Sequence, residues 1–337
     1  MLDSLRKELL NLTLSNGLLK LREFKAKGLT VRETTAETVL QKLVEESKKC
    51  VFLPEGAEET PSRAVFYLKT NYSEKELEHR IFKTFTEAKS FIEERGINAL
   101  FLALGALKWF EDDHSDVEIL SPLLLLPVQI VRSVVQGETT FELKYNGEAL
   151  ESNYTLERKM EVEYGIKLPV FDENNKISDY FQAIEDSVKN KKRWAVMPNE
   201  VRVNLFSFLK LMMYHDLDDA RWSEEHQPSK HGLIKNLLDN FGNLLSLDST
   251  DEPNQHFQLD TVPISEIDHI LDADNSQAEA IDRVFRHKYL VIKGPPGTGK
   301  SQTISNIIAS CIKKGKTVLF VSEKMAALEV VKNRLEK

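Results

Sequence analysis

The stretch GPPGTGKS, residues Gly294 to Ser301, decides how the chain around it folds. It fits the pattern G-x-x-x-x-G-K-[ST], in which glycines let the backbone curl so that its N–H groups point at phosphate oxygens. The helix that such a loop opens adds the positive end of its dipole. The stretch therefore predicts a site for nucleotide phosphates, with Lys300 reaching the β- and γ-phosphates and Ser301 offering a hydroxyl to Mg²⁺.

Strand and helix patterns alternate around this loop. The apolar run Tyr289 to Ile292 predicts a strand before it, and a helix is expected from about Lys300 to Lys313, ended by Gly315. Thr317 to Val321 predicts a second strand and Met325 to Leu335 a second helix. This order is typical of a parallel α/β sheet, and the context disfavours a chance glycine-rich turn.

Two further positions fit a nucleotide-dependent site. Gln277, ahead of an amphipathic helix, carries an amide that can both donate to and accept from the N6/N7 edge of adenine, although such a residue is commonly just solvated. Ser322 and Lys324 follow the second predicted strand, where nucleic-acid phosphate would suit them as well as a plain turn would. We therefore expect ATP and Mg²⁺ as cofactors and Lys300 and Ser301 as catalytic residues. The predicted cofactor-binding residues are Gln277, Gly294, Pro295, Pro296, Gly297, Thr298, Gly299, Lys300, Ser301 and Gln302.

Bulk composition narrows the class of protein. The 337 residues favour two domains, and 41% hydrophobic with 29% charged residues is typical of a soluble globular protein. A net charge of −8 argues against a broad basic surface for nucleic acid, though not against a local basic groove. Cys50 and Cys311 lack metal-site spacing and suit a reducing cytoplasm. The apolar run Ile119 to Val131 is too short to span a bilayer, so we expect no membrane segment.

The remaining patterns predict a mixed α+β domain over residues 1–245. Helices are predicted for residues 1 to about 48, Ser73 to Glu94 and Asn98 to Phe110. Strands are predicted for Ala64 to Leu68, Ile119 to Val135, Thr140 to Tyr145 and Lys167 to Val170. The polar, acidic stretch Ser246 to Pro263 predicts a linker, which leaves 264–337 as the domain of the phosphate loop.

Several other stretches have both a functional and a structural interpretation. The run LGALKWFEDD, Leu104 to Asp113, imitates an apolar strand that ends in catalytic acids, but we interpret it as a helix in the other domain. The acids at 112–113 and 216–219 could hold a metal, yet polar helix ends are far commoner. The stretch 191–194 (KKRW) joins basic charge to an aromatic ring, as nucleic-acid sites do, although a solvated helix end is the simpler interpretation. The large side chains expected in the core are Phe206, Phe208, Met212, Met213 and Tyr214.

Together these motifs resemble superfamily 1 helicases of the branch with a GPPGTGK loop. ADNSQAEAI (273–281) is similar to their Q motif, GPPGTGKS to their Walker A motif, and VLFVSEKMAALEVVKNRL (318–335) to their motif Ia. The resemblance implies that Gln277 contacts adenine, that Gly297, Gly299, Lys300 and Ser301 hold the triphosphate and Mg²⁺, and that Ser322 and Lys324 lie near the backbone of DNA or RNA.

The N-terminal part resembles the uncharacterised N-terminal domain of large bacterial superfamily 1 helicase-like proteins. The resemblance is carried by LRKELLNLTLSNGLLKL, INALFLALGALKWF, SPLLLLPVQIVR, NYTLERKMEVEYGIKLP and NLFSFLKLMMYHDL, in this order. Gly17 stands where this family leads us to expect a basic residue. Some of these proteins are suspected of roles in DNA repair or phage defence. The family's Walker B acids, motif III, second RecA-like lobe and arginine finger have no match here, so we expect the chain to be the front part of a longer protein.

Three functions stay open from the sequence. The first is an ATP-binding portion of a helicase-like translocase on single-stranded DNA or RNA, which alone does not hydrolyse ATP. The second is a non-catalytic module that binds protein or nucleic acid and carries a remnant phosphate loop; a second chain could then cover, or complete, its unfinished sheet. The third is an ATPase of the AAA+ class, whose loops also match GPPGTGKS.

Overall fold

The computed structural model describes residues 2–23, 26–60, 62–135, 138–232, 234–235, 263, 268–287 and 290–336. The chain divides into two compact units, one of Met1–Phe91 with Ile97–Phe241 and the other of Ile92–Gly96 with Gly242–Lys337. The predicted linker, apart from Pro263, lies outside the described residues, so the boundary between 245 and 264 stays a prediction. No helix in the described ranges combines the length and apolar character needed to cross a bilayer.

The first unit is built on one mixed sheet with the strand order β1-β8-β4-β5-β6-β2-β3, and β7 pairs with β5. Its strands are β1 Leu29–Val31, β2 Lys49–Leu53, β3 Val65–Lys69, β4 Leu100–Trp109, β5 Ile119–Val135, β6 Glu138–Tyr145, β7 Glu151–Ser152 and β8 Ala195–Leu205. Its helices are α1 Leu2–Leu9, α2 Ala36–Leu40, which continues as a π-helix over Gln41–Glu45, α3 Glu74–Arg95, α4 Tyr154–Tyr164, α5 Ile177–Val188 and α6 Leu209–Asp216. Short 3₁₀ turns follow at Asp219–Arg221 and Pro228–Lys230. All the pairings are antiparallel except that of β2 with β3.

The centre of the sheet is strand β4, and the predicted helix over Asn98 to Phe110 is wrong. Nearly every residue of β4 is buried, because neighbouring strands β5 and β8 flank it and both its faces are covered. A continuous apolar run of this kind has no period that separates a buried strand from a buried helix. The predicted strand Ile119 to Val135 is confirmed as β5 and pairs with almost the whole length of β4.

The N-terminal stretch is only partly helical, against the prediction for residues 1 to about 48. Beyond α1 the side chains of Asn11 and Asn16 accept hydrogen bonds from the N–H groups of Thr13 and Leu18, which competes with helical bonding. The chain is then fixed to the sheet by buried polar groups. The Asn153 amide donates to Leu18 O at 2.6 Å. The stretch therefore runs as turns that are anchored by side chains from elsewhere in the fold.

The other predicted elements of this unit have mixed outcomes. The strand near 64–68 and the helix near 73–94 are confirmed as β3 and α3, and the strand near 140–145 as β6. Lys167 to Val170 forms no strand, since Pro169 has no N–H to donate and Val170 is 80% exposed. Of the five large side chains expected in the core, Phe206 and Tyr214 are buried and Phe208 is half-buried, whereas Met212 and Met213 are exposed, so the prediction is wrong for those two.

The second unit contains α7 Asn275–Arg286, α8 Lys300–Lys313 and α9 Met325–Leu335. Both helices predicted after the phosphate loop are confirmed, and Gly315 follows α8 with a φ of +69°. Residues 290–292 and 317–321 form no ladder of strand hydrogen bonds with any described residue, so the two predicted strands are not present there. Their apolar side chains are instead exposed, as at Val291 (81%), Leu319 (87%) and Val321 (75%). The chain as a whole is a mixed α/β protein, as predicted.

Gly105 in β4 lies at a close approach that no larger residue allows. Its φ is +69°, in the left-handed region, and a Cβ built on it would lie 2.3 Å from Cζ of Phe181. The register of β4 against β8 shifts between Leu104 and Ala106, so this residue forms an irregularity in the ladder. The ring of Phe181 on α5 packs where a side chain would otherwise stand.

We expect Gly105→Ala to lower the free energy of unfolding by about 2–5 kcal/mol, because it adds left-handed backbone strain to a steric clash in the core. Urea unfolding of the two proteins measures the difference. The matched control is Gly147→Ala, since Gly147 also has a positive φ (+89°) but no atom lies within 4 Å of its built Cβ. That control should cost only about 1 kcal/mol. Equal losses for the two variants would show that the contact with Phe181 contributes nothing.

Candidate functional site

The GPPGTGKS loop places a set of N–H groups without hydrogen-bond partners at the start of a helix. Gly297 and Gly299 have φ values of +87° and +71°, which turn the backbone sharply before α8 begins at Lys300. The N-cap residue Gly299 has no side chain to cap the helix. The N–H groups of Gly297, Gly299, Lys300 and Ser301 donate to no other group in the described part of the chain. Unpaired donors at the positive end of a helix dipole make an anion site.

The loop is closed tightly on itself. The hydroxyl of Thr298 donates to Pro295 O at 2.9 Å. A Cβ built on Gly294 would lie 2.8 Å from Thr298 Oγ1, and one on Gly299 would lie 2.4 Å from Gln277 Nε2. A side chain at either glycine would therefore displace neighbouring side chains, and at Gly299 it would also strain the left-handed backbone.

The side chain of Lys300, the first residue of α8, folds back over the loop that precedes the helix. Its Nζ donates to Gly294 O at 2.5 Å and to Pro295 O at 2.8 Å, while the side chain stays exposed to solvent. The ammonium group is thus held at the mouth of the cradle by two carbonyl oxygens. These oxygens occupy the hydrogen-bonding positions that phosphate oxygens would take over.

Gln277 contacts this loop from helix α7. The helix starts with a capping box, in which the Asp274 carboxylate accepts from Gln277 N at 2.8 Å and Gln277 Oε1 faces Asp274 N at 3.4 Å. Hydrogen bonds from the Ser276 hydroxyl and the Gln277 N–H lower the pKa of Asp274. Gln277 Nε2 donates to Thr298 O at 3.1 Å. The predicted adenine contact is not tested by this arrangement, which shows Gln277 bracing the loop.

A buried amide on α8 connects the loop helix to the segment before α7, and sequence reasoning missed it. Asn306 is fully buried; its Oδ1 accepts from the N–H groups of Ile270 and Leu271, and its Nδ2 donates to Leu271 O at 3.0 Å. Ser310 Oγ donates to Asp268 O, and Lys313 pairs with the Asp268 carboxylate. The available signal was a polar residue on the buried side of an amphipathic helix, where a carboxamide must find partners.

These elements enclose a cleft of about 510 Å³, within the range of small-molecule sites. One wall is α7, with Gln277, Ala280 and Arg283, and the other is the apolar segment 290–292. The phosphate loop and Lys300 lie along its edge. The cleft therefore offers an apolar surface for a base beside donors for phosphates.

Ser322 and Lys324 lie where the sequence placed them, at the start of α9. Ser322 is half-buried, and its hydroxyl accepts from Lys324 N at 3.4 Å. Lys324 is the N-cap residue of the helix, and its side chain is exposed. Ser322 and Lys324 therefore form the turn that precedes α9, with the Lys324 side chain exposed, and a role in nucleic-acid binding stays a prediction.

The acidic stretches of the first unit form turns. The run Leu104 to Asp113 consists of the second half of strand β4 and the turn that follows it, so the helix predicted there is wrong. Asp112 Oδ1 accepts from the N–H groups of His114 and Ser115. Asp218 pairs with Arg6, and Asp219 accepts from Ser229 N. Within the described ranges no three carboxylate, histidine or cysteine side chains gather in a way that would hold a metal ion.

The basic stretch 191–194 is structural. Arg193 adopts a φ of +70° and donates to the carbonyl oxygens of Asp113 and Ser115 at 2.8 and 3.0 Å. Trp194 is buried, and its ring packs 5.8 Å from that of Trp109, centroid to centroid. The aromatic ring is therefore not available for stacking on a base.

Comparison with known proteins adds a family context to both units. Residues 8–160 match the family described as "Protein of unknown function (DUF4011)", and residues 272–337 match an AAA domain, AAA_11. The phosphate loop, Gln277 and the α9 turn all fall within the second match. No solved structure matches the chain.

Two curated relatives are similar over most of the chain. The "Uncharacterized ATP-dependent helicase MG140" of Mycoplasma genitalium is 26% identical over 286 residues, which cover 77% of this chain and 24% of the relative. Its homolog in Mycoplasma pneumoniae is 26% identical over 227 residues, covering 67% of this chain and 18% of the relative. The chain thus spans about a quarter or less of the length of these relatives. The chain carries a match to the DUF4011 family followed by a match to the AAA_11 domain, and it is similar to curated proteins that are named as ATP-dependent helicases.

Proposed function

We propose that residues 1–337 are the ATP-binding, N-terminal portion of a superfamily 1 helicase-like ATPase that acts on nucleic acid. The observation that carries the proposal is the cradle of unpaired N–H groups at the start of α8, with the Lys300 ammonium folded over it. Phosphate oxygens satisfy such donors at a helix N-terminus better than any other common ligand. The AAA match over 272–337 and the helicase names of the relatives support the same function.

The loop residues divide the work of holding a triphosphate. The N–H groups of Gly297, Gly299, Lys300 and Ser301 donate to the phosphate oxygens, and Lys300 exchanges two carbonyl oxygens for oxygens of the β- and γ-phosphates. The flanking residues Gly294, Pro295, Pro296, Thr298 and Gln302 shape the curl.

The residues present also fit Mg²⁺. The Ser301 hydroxyl has no hydrogen-bond partner in the described part of the chain, lies on the first turn of α8, and is a hard oxygen ligand. When bound with ATP, the ion neutralises charge on the β- and γ-phosphates. Ser301 would hold it together with the nucleotide's own oxygens and water.

We further propose that these residues alone bind ATP without turning it over. Hydrolysis in phosphate-loop enzymes needs an acid that holds Mg²⁺ and a residue that orients the attacking water. The sequence from 302 to 337 contains no apolar strand that ends in an Asp-Glu pair. Single-stranded DNA or RNA, and a further helicase lobe or second chain, are the proposed partners, and the cytoplasm the proposed location.

The non-catalytic module keeps one observation in its favour. Val291, Leu319 and Val321 expose apolar surface that an additional strand or another chain would cover. In such a module the cleft would be a remnant that no longer binds nucleotide. Nucleotide affinity therefore separates the two functions.

For the variant Lys300→Ala we expect the dissociation constant of Mg·ATP to rise about ten- to a hundredfold, because charge-assisted bonds to the phosphates are lost. Isothermal titration of the 1–337 chain measures it. Neither protein should show steady-state release of phosphate.

The control is Lys316→Ala, which removes an exposed lysine that lies over Phe285 rather than in the loop. It should bind ATP as the unaltered chain does. Unaltered protein that binds no ATP would favour the remnant-loop module, and steady turnover that Lys300→Ala abolishes would contradict the proposed lack of hydrolysis.

A second prediction concerns the base. If Gln277 reads adenine, Gln277→Ala should lower the ratio of ATP to GTP affinity about fivefold or more, since a paired amide discriminates between bases. Competition with a fluorescent ATP analogue measures both affinities. An equal loss for ATP and GTP would instead assign Gln277 only the bracing of Thr298 that its hydrogen bond shows.

A third prediction concerns nucleic acid. Lys324→Ala should reduce the salt dependence of binding to labelled oligothymidylate by about one unit of slope, the signature of one lost phosphate contact. Fluorescence anisotropy between low and moderate salt gives the slope. Lys332→Ala, which removes an exposed lysine on the same helix, should leave the slope unchanged. Identical slopes for all three proteins would exclude a phosphate contact at Lys324.

A further inference from the structure

The first unit contains an open groove that the nucleotide chemistry does not use. Two neighbouring cavities, of about 580 and 360 Å³, both have Glu37 and Ile177 in their lining and therefore adjoin. The larger is walled by α2 and its π-helical continuation on one side and by the segment 171–177 on the other. We refer to the two cavities together as the α2–α5 groove.

The floor of the α2–α5 groove is apolar. Leu126 of β5 and Ile177 of α5 are buried beneath it, and Leu40, Val44 and Phe171 are half-buried along it. The smaller cavity continues this surface with Phe181 and Val196. A floor of this kind gains free energy when apolar side chains of a ligand cover it.

The rim of the groove is acidic, and Glu37 Oε1 accepts a hydrogen bond from the Ser178 hydroxyl at 3.5 Å. Glu37, Glu45 and Glu173 line the larger cavity, and only Lys176 opposes them. Within the described residues none of the four forms an ion pair. The neighbouring acid Glu46, outside the groove, is by contrast bonded to Lys42 and Lys48, which lowers its pKa.

The wall that carries part of this rim is a π-helix, Gln41–Glu45. π-Helical turns are rare, and they occur often at functional sites. Leu40, Gln41, Val44 and Glu45 all belong to the lining of the larger cavity. The wall thus presents apolar and acidic groups side by side.

We propose that the α2–α5 groove binds an extended basic segment of a protein partner. Apolar side chains of the segment cover the floor, and its Lys or Arg side chains pair with Glu37, Glu45 and Glu173. The two adjoining cavities combine an apolar floor with carboxylates at the rim, and a segment that carries both apolar and basic side chains matches both. The unopposed carboxylates repel the phosphates of DNA or RNA, so the groove is not a nucleic-acid site.

The experiment uses the 1–337 chain and a fluorescein-labelled peptide, KLKFKLRFK, in anisotropy titrations at low salt. We expect Glu37→Gln, Glu45→Gln and Glu173→Gln combined to weaken binding about tenfold, from exposed charge pairs of ordinary strength. A peptide in which Glu replaces every Lys and Arg should not bind. Raised salt should weaken the basic peptide's binding.

The charge-matched control changes three exposed acids away from the groove, Glu55→Gln, Glu58→Gln and Glu78→Gln. It alters net charge equally and should change affinity less than twofold. An equal loss in this control would overturn the proposal, because the peptide would then respond only to net charge. Competition by spermidine as effective as by unlabelled peptide would also overturn it, in favour of a small polycation.

Two single substitutions guard against loss by misfolding. Lys176→Gln removes the one opposing charge and should strengthen binding two- to threefold, on the order of one exposed charge pair, a gain that unfolding cannot produce. Val44→Trp fills the floor and should abolish binding, while Mg·ATP affinity stays unchanged. Unchanged peptide affinity in both variants would show that the peptide binds elsewhere.

Discussion

The buried carboxamide of Asn306 is the constraint on which the cleft beside the GPPGTGKS loop depends. Helix α8 carries the phosphate loop at its start, and Asn306 in its middle holds the backbone at Ile270 and Leu271 by three hydrogen bonds. That backbone immediately precedes the capping box of α7. In this box Gln277 donates a hydrogen bond from its side chain to Thr298 O of the loop. The loop is thus held from two sides, by its own helix α8 and by Gln277 of α7, and Asn306 connects these two helices through the segment before α7. Removing the Asn306 amide would leave the N–H groups of Ile270 and Leu271 and the C=O of Leu271 without partners, which would lower the free energy of unfolding.

The first unit depends on a different constraint, the burial of β4 on both faces between β5 and β8. Two-sided burial produces an uninterrupted apolar sequence, and this is why the strand is invisible to periodicity while the amphipathic helix α3 is evident. The same reasoning explains the N-terminal stretch. Its Leu spacing resembles a helix, but side chains of Asn11 and Asn16 bond locally and Asn153 captures the chain from a distance. Local side-chain bonds and a contact from a remote residue together decide that outcome.

For the candidate site, the residues were predicted from the sequence, and the structure adds the groups to which they form hydrogen bonds. The glycine pattern and Lys300 follow from the chemistry of phosphate alone, and both helices after the loop follow from their spacing and from Gly315. The hydrogen bonds of Lys300 to two carbonyl oxygens, and that of Gln277 to the loop, could not be predicted in this way. They depend on how the folded chain brings the loop and α7 together. The apolar composition of 290–292 and 317–321 predicted strands that are not present in the described residues, because a strand exists only when another backbone pairs with it. The α2–α5 groove was beyond sequence reasoning because its lining comes from five separate segments.

Gly105 and Phe181 have a consequence for how this domain varies between proteins. The ring occupies the space of a missing Cβ, so neither position is independent of the other although α5 and β4 lie far apart in the chain. A smaller residue at 181 would leave a void, and any side chain at 105 would displace the ring. In a set of diverged sequences with this fold, substitutions at the two positions should therefore occur together. Such a correlated pair would identify the domain even where overall identity has faded.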